Sequence, residues 1–192
     1  MVWVAPVSVA PSIGSTPGLP DGGTPQRWPE ADAPAARSPL VLLVLLAFCL
    51  GVSAIGGAIT ASSVDTWYPA LNKPSFTPPN WIFAPVWTTL YVMMAVAAWR
   101  VWGQRRRADI RWASCWFCGQ LVLNLMWTVA FFGLRNLSAA LFVILLLVFA
   151  VVMTTIVFLR IDRLAGWLFV PYLGWVAFAT LLMAGIWLLN LP

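Results

Sequence analysis

Histidine is absent from this chain, and charge is scarce: 9% of its 192 residues are Asp, Glu, Lys or Arg. Without an imidazole there is no Ser–His or Cys–His pair to activate a nucleophile. The three cysteines are Cys49, Cys115 and Cys118. Cys115 and Cys118 form a C-x-x-C, but with no second pair and no histidine a zinc or redox site is not expected. Charge is missing altogether from residues 38–64, 74–99, 112–134, 136–159 and 164–192. Proton-coupled transporters place ionisable groups inside the membrane. The charge-free runs offer none, which argues against an ion-driven pump.

What is present is apolar. Hydrophobic residues make up 61% of the chain and mean hydropathy is +0.87. Soluble domains are about 25% charged, so this chain cannot cover a globule with polar surface. Each charge-free run exceeds the roughly 20 residues that a helix needs to cross the hydrocarbon core. The spacing predicts an all-α integral membrane protein with five spans: helix 1 from Pro39 to Thr60, helix 2 from Ile82 to Trp102, helix 3 from Arg111 to Gly133, helix 4 from Leu137 to Arg160 and helix 5 from Gly166 to Asn190. Pro171 is placed near the start of helix 5, where a missing N–H is best tolerated. Residues 1–37, rich in Pro, Gly, Ala and Ser without periodicity, read as a disordered tail. Residues 38–192 form the membrane domain.

The net charge of +5 is no nucleic-acid signal, because the basic residues gather in one loop at Arg100, Arg105, Arg106, Arg107 and Arg111. That cluster reads first as a topology signal and second as a site for acidic lipid headgroups. Arg160 and Arg163 fall on the same side. In a bacterial cell membrane this puts the N-terminus in the cytoplasm and the loop between helices 1 and 2 outside. That loop, residues 61–81, is too long to be structureless in a compact bundle. Pro69, Pro74, Pro78 and Pro79 stiffen it, and its aromatic content suits an ordered lid.

Under the lid the periodicity points to a cavity between helices 2, 3 and 5. Helix 3 carries Gln120, Asn124 and Trp127 at i, i+4 and i+7, with Phe131 a turn further, all on one face. An amide without a partner is costly in hydrocarbon, so Gln120 and Asn124 must face inward. Either they join helices or they point at a ligand. Helix 2 adds Trp87 and Tyr91, and helix 5 adds Tyr172, Trp175 and Ala179. Aromatic walls with a few placed amides describe a small-molecule site. The small residues Gly51, Ser53, Gly56, Gly57 and Ala58 of helix 1, and Ala113, Ser114, Cys118 and Gly119 of helix 3, read as packing faces.

The stretches WYPALNKPSFTPPNWIFAPVWTTLY, GQLVLNLMWTVAFFG and VPYLGWVAFATLL resemble the TspO/MBR family, the tryptophan-rich sensory proteins of bacteria and the translocator proteins (peripheral benzodiazepine receptors) of mitochondria. The resemblance covers residues 40–190. It implies a five-helix bundle, commonly a homodimer, that binds tetrapyrroles such as protoporphyrin IX and haem as ligands, with no required cofactor. The family pocket falls on Tyr68 and Pro78 of the loop, Trp87 and Tyr91, Gln120, Asn124, Trp127 and Phe131, and Trp175 and Ala179. The resemblance implies a membrane receptor or carrier in tetrapyrrole transport or regulation. The alternatives it leaves are light-dependent porphyrin breakdown and a non-transporting scaffold. Two departures stand out. The end of helix 5, ATLLMAGIWLLNLP, lacks the Tyr and basic residue of the animal cholesterol pattern, and Met183 stands where asparagine is usual. With no histidine, a haem would have no imidazole ligand, so metal-free porphyrin should bind about as well.

Overall fold

The computed structural model describes residues 38–105, 108 and 110–191. The tail at 1–37, on which the scaffold alternative leaned, lies outside the described residues, as do Arg106, Arg107 and Asp109 of the arginine loop. All described residues belong to one packed unit, Ala31–Pro192.

Five helices long and apolar enough to cross a membrane account for most of it. They are α1 (Pro39–Ala61), α2 (Phe83–Trp102), α3 (Arg111–Thr128), α4 (Leu137–Ile161) and α5 (Arg163–Leu189). No strand occurs among the described residues. Pro39 starts α1 at a position whose N–H would be unpaired anyway. Asn136 caps α4 by accepting from the Ala139 amide at 2.9 Å. Asp162 does the same for α5 through the Ala165 amide at 3.1 Å. That cap starts α5 at Arg163, earlier than Gly166, and Pro171 therefore lies inside the helix rather than near its start. Pro171 stands on the exposed side of α5.

The helices close into a ring in the order α1, α2, α5, α4, α3 and back to α1. Helices gain little hydrophobic free energy from leaving lipid, so close packing has to hold the ring together. An aromatic spine supplies much of it. Phe117 stacks on Phe158 at 6.1 Å, Phe158 meets Phe169 edge-on at 5.0 Å, and Phe169 meets Tyr172 at 6.0 Å. Trp116 packs across from α3 onto Phe149 of α4. By contrast, α1 contributes one buried residue, Cys49.

At the arginine end, Arg100 clamps the last turn of α2 to the α4–α5 corner. Its guanidinium donates to Asp162 at 3.2, 3.1 and 2.9 Å. Burial alone would raise the Asp162 carboxyl. The Ala165 amide and the Arg100 guanidinium outweigh burial and hold it below the ordinary carboxylate range. The clamp is therefore ionised at neutral pH.

Candidate functional site

The segment between α1 and α2 is ordered by bonds that proline content alone does not supply. After α1, Ser63 is buried and donates to the Phe132 carbonyl at 2.7 Å. A 3-10 turn follows at Tyr68–Ala70. Two of its carbonyls and that of Leu71 just after it converge on Lys73, whose ammonium donates to Tyr68, Pro69 and Leu71 at 2.9, 3.0 and 2.9 Å. All three donors of the lysine are thereby used. The same nitrogen lies 5.0 Å from the Tyr68 ring centre. Farther on, Asn72 and Asn190 exchange two bonds, Asn72 N–H to the Asn190 amide oxygen at 3.1 Å and the Asn190 amide to the Asn72 carbonyl at 2.8 Å. This clasps the lid to the end of α5.

Close approach completes the clasp. A Cβ at Gly185 would stand 2.5 Å from Pro74 Cγ, whereas one at Gly174 meets nothing within 4 Å. Gly185→Val should push the lid off α5 at a cost of about 1–3 kcal/mol. Limited proteolysis within 61–81 should accelerate, while Gly174→Ala should be neutral or slightly stabilising. Equal protection of Gly185→Val and the parent chain would refute the clasp.

Beneath the lid is a cavity of about 600 Å³, within the range of small-molecule sites. Trp87 and Tyr91 form its α2 wall, and Asn124, Trp127 and Phe131 its α3 wall. Ala179 and Met183 close the α5 side, and Tyr68 comes from the lid. The predicted wall of three helices is joined by a fourth. Ser53, Gly56, Gly57 and Thr60 of α1 also line the space. Of the residues read as a helix-packing face, Ser53, Gly56 and Gly57 thus border a cavity, and a Cβ at Gly56 would also come within 4 Å of Thr128 on α3.

The end of α3 widens into a π turn at Val129–Gly133, with Leu134 N–H reaching the Val129 carbonyl at 2.7 Å. The extra residue brings Phe132 into the cavity beside Phe131. Trp127 stacks on Phe131 at 5.8 Å with planes 5° apart, and Phe131 meets Phe132 edge-on at 4.7 Å. Arg135 then takes a left-handed φ of 54° to turn the chain into α4.

The two amides of α3 have different fates. Asn124 lines the cavity and accepts from the Tyr91 hydroxyl at 2.9 Å, while its own NH₂ donates to Tyr172 at 3.2 Å. Gln120 lies a turn deeper and is fully buried. It accepts from Tyr172 at 2.9 Å and donates to Met94 Sδ at 3.6 Å. Gln120 therefore joins helices and does not line the cavity. Pro78 and Trp175 are likewise outside the lining. Trp175 meets Phe83, a lining residue, edge-on at 5.8 Å. Of the ten expected residues, the structure brings together Tyr68, Trp87, Tyr91, Asn124, Trp127, Phe131 and Ala179. It adds Phe132, Met183 and the α1 residues.

The cavity's polar chemistry is sparse. Asp65 lies at its edge and is exposed, and among the described residues no Lys or Arg lines it. The hydroxyls of Thr60, Thr88 and Thr128 are turned back onto carbonyls of their own helices. The indole N–H groups of Trp127 and Trp175 are buried and have no acceptor, and of the two only Trp127 lines the cavity. A buried donor left unpaired is costly, and here it belongs to a residue that lines an open space. Such a site can stack a flat, polarisable molecule and offer it the Trp127 N–H as a hydrogen-bond donor. Cys115 and Cys118 are free thiols exposed on α3, and neither lines the cavity.

A family model described as the TspO/MBR family matches residues 43–188. The tryptophan-rich protein TspO of Archaeoglobus fulgidus is 44% identical over 152 residues, covering 78% of this chain and 98% of that protein. Protein CrtK of Rhodobacter capsulatus is 39% identical over 150 residues, covering 77% and 94%. The human translocator protein is 39% identical over 125 residues, covering 63% and 73%.

Proposed function

This chain belongs to the TspO/MBR family, and from that premise we propose that it is a membrane receptor or carrier for tetrapyrroles, taking protoporphyrin IX or haem in the cavity under the lid. The observation that carries the reading is the cavity itself: Trp87, Tyr91, Trp127, Phe131 and Phe132 around a space of about 600 Å³, with the buried indole N–H of Trp127 unpaired. Planar aromatic walls favour a planar ligand. Met183 leaves the α5 side without an amide, so stacking and apolar contact dominate. Titration of protoporphyrin IX against intrinsic tryptophan fluorescence in detergent tests the reading, and absence of saturable quenching would overturn it.

Asp65 refines it. The ligand's propionates are anionic, the cavity edge carries this one carboxylate, and Lys73 is spent on lid carbonyls. Repulsion across a wet cavity edge is modest. Asp65→Asn should tighten protoporphyrin IX by roughly three- to fivefold at low salt. Its dimethyl ester should bind both forms alike. A change of the same size for the ester would remove charge as the cause.

The same reading places the five spans in a bacterial inner membrane with the N-terminus cytoplasmic, since the arginine loop and the lid lie at opposite ends of α2. It also makes the protein a homodimer, with a contact on the face of α3 that carries the exposed Cys115. Disulfide crosslinking through Cys115 reports on that contact, and its absence in native membranes would count against it.

A further inference from the structure

A second cleft, of about 420 Å³, opens at the arginine end of the bundle. The tetrapyrrole cavity uses the lid ends of α1, α2 and α3. This cleft uses their other ends, with Val44 and Phe48 on α1, Trp102 on α2, and Ser114 and Phe117 on α3. Phe158 of α4 forms its floor. Its lining is apolar apart from the Ser114 hydroxyl and the Cys118 thiol. Val44, Phe48 and Trp102 are 59%, 48% and 41% exposed, so the cleft faces the bilayer and not the bundle centre. It exists because α1 leans on α2 and buries only Cys49.

In hydrocarbon a groove of this kind is filled by what the bilayer supplies, since an empty one forfeits dispersion contacts along its whole lining. Charge selects which lipid. The Arg105 guanidinium lies 5.1 Å over the ring of Trp102 and donates to the Trp102 carbonyl at 3.1 Å. The Arg105 guanidinium is thereby held against Trp102, a residue of the cleft's lining. In the sequence Arg106 and Arg107 follow directly, and Arg100 is engaged with Asp162. A run of arginines next to a membrane span attracts anionic lipid.

We infer that this cleft holds one acyl chain of an anionic glycerophospholipid, whose phosphate is met by Arg105. The lipid completes the contact between α1 and α3 that the side chains leave open. Ser53, Gly56 and Thr60, farther along α1, wall the ligand cavity. Lipid in the cleft therefore steadies that wall from the opposite end of the same helix.

The test uses the full chain in detergent, with native mass spectrometry reading lipid retention after mixing with palmitoyl-oleoyl phosphatidylglycerol or the matching phosphatidylcholine. One phosphatidylglycerol per chain should be retained about tenfold better than phosphatidylcholine. Arg105→Gln, an exposed change that leaves the bundle packing alone, should reduce that preference about fivefold. Ser114→Leu, which puts a side chain into the cleft, should lower retention of both lipids, with unfolding temperature and sedimentation checking that the variant is folded. Equal retention of the two lipids by the parent chain would overturn the inference, as would a preference untouched by Arg105→Gln. If Ser114→Leu instead turns a dimer into a monomer and leaves lipid retention unchanged, the cleft holds a second copy and the lipid site is rejected.

Discussion

With Trp87 and Trp127 both changed to alanine, protoporphyrin IX should bind about a hundredfold more weakly, while Trp175→Ala should shift affinity by no more than about threefold. The contrast follows from position. Trp87 and Trp127 both line the cavity, one on α2 and one on α3. Trp175 is outside the lining and meets the lining residue Phe83 edge-on. An aromatic contact contributes about 0.5–1.5 kcal/mol beyond the area it covers. Two such contacts, with the area lost, amount to roughly 3 kcal/mol, or about two decades in affinity. Trp127→Phe separates ring from donor. It keeps the stack on Phe131 and removes the unpaired N–H, so a loss of about tenfold would assign that N–H to a ligand acceptor. Because the variants remove fluorophores, the readout is the Soret absorption of the porphyrin. If Trp175→Ala weakens binding as much as the double variant, the cavity described here is not the porphyrin site.

Trp175 also shows where reading from sequence stops. Helical spacing puts Trp175 and Ala179 on one face, as it does Gln120 and Asn124, yet the cavity takes Ala179 and Asn124 and leaves Trp175 and Gln120 out. Gln120 lies below the floor, a depth set by how far each neighbouring helix is shifted along its axis. Trp175 packs beside Phe83 at the lid end of α2, while Tyr91, two turns deeper on α2, still lines the space, so rotation and not depth turns it out. Periodicity carries neither the shift nor the exact rotation. The spans, by contrast, were legible almost to the residue, since the cost of charge in hydrocarbon leaves runs without Asp, Glu, Lys or Arg that can be read directly. The start of α5 was missed because Asp162 looks like a turn charge and acts as a cap.

Two other features were hidden for related reasons. The π turn that brings Phe132 beside Phe131 has no proline or glycine at its start to announce it. The lid's order was inferred from its prolines. Its position instead depends on Lys73 gathering three carbonyls and on Asn72 pairing with Asn190, a partner more than a hundred residues away. The small residues of α1 were visible as a face, but Gly56 and Gly57 serve packing and cavity walls equally well, and only the neighbours decide between them.

Asn124→Leu should destabilise the bundle by about 2 kcal/mol. Asn124 stands at the centre of a relay that runs from the Tyr91 hydroxyl to its amide oxygen, from its amide nitrogen to Tyr172, from Tyr172 to Gln120, and from Gln120 to Met94. Leucine fills similar space and removes both partners. Tyr172 keeps Gln120 as acceptor, but Tyr91, only 4% exposed, loses the acceptor of its hydroxyl. An unsatisfied buried donor costs about 1–3 kcal/mol. Single hydrogen bonds in membrane bundles average about 0.6 kcal/mol and reach about 1.7, so the cost of the orphan and not the lost bond sets the size. That distinction is testable. Tyr91→Phe removes the stranded hydroxyl, so Tyr91→Phe with Asn124→Leu should recover at least half of what Asn124→Leu alone loses, although it deletes one more polar group. Reversible unfolding in mixed micelles, read by helical circular dichroism for the parent, both single variants and the pair, gives the four values required. Simple additivity of the two single losses would mean that the relay is not coupled and that Asn124 contributes only through its contact with the cavity.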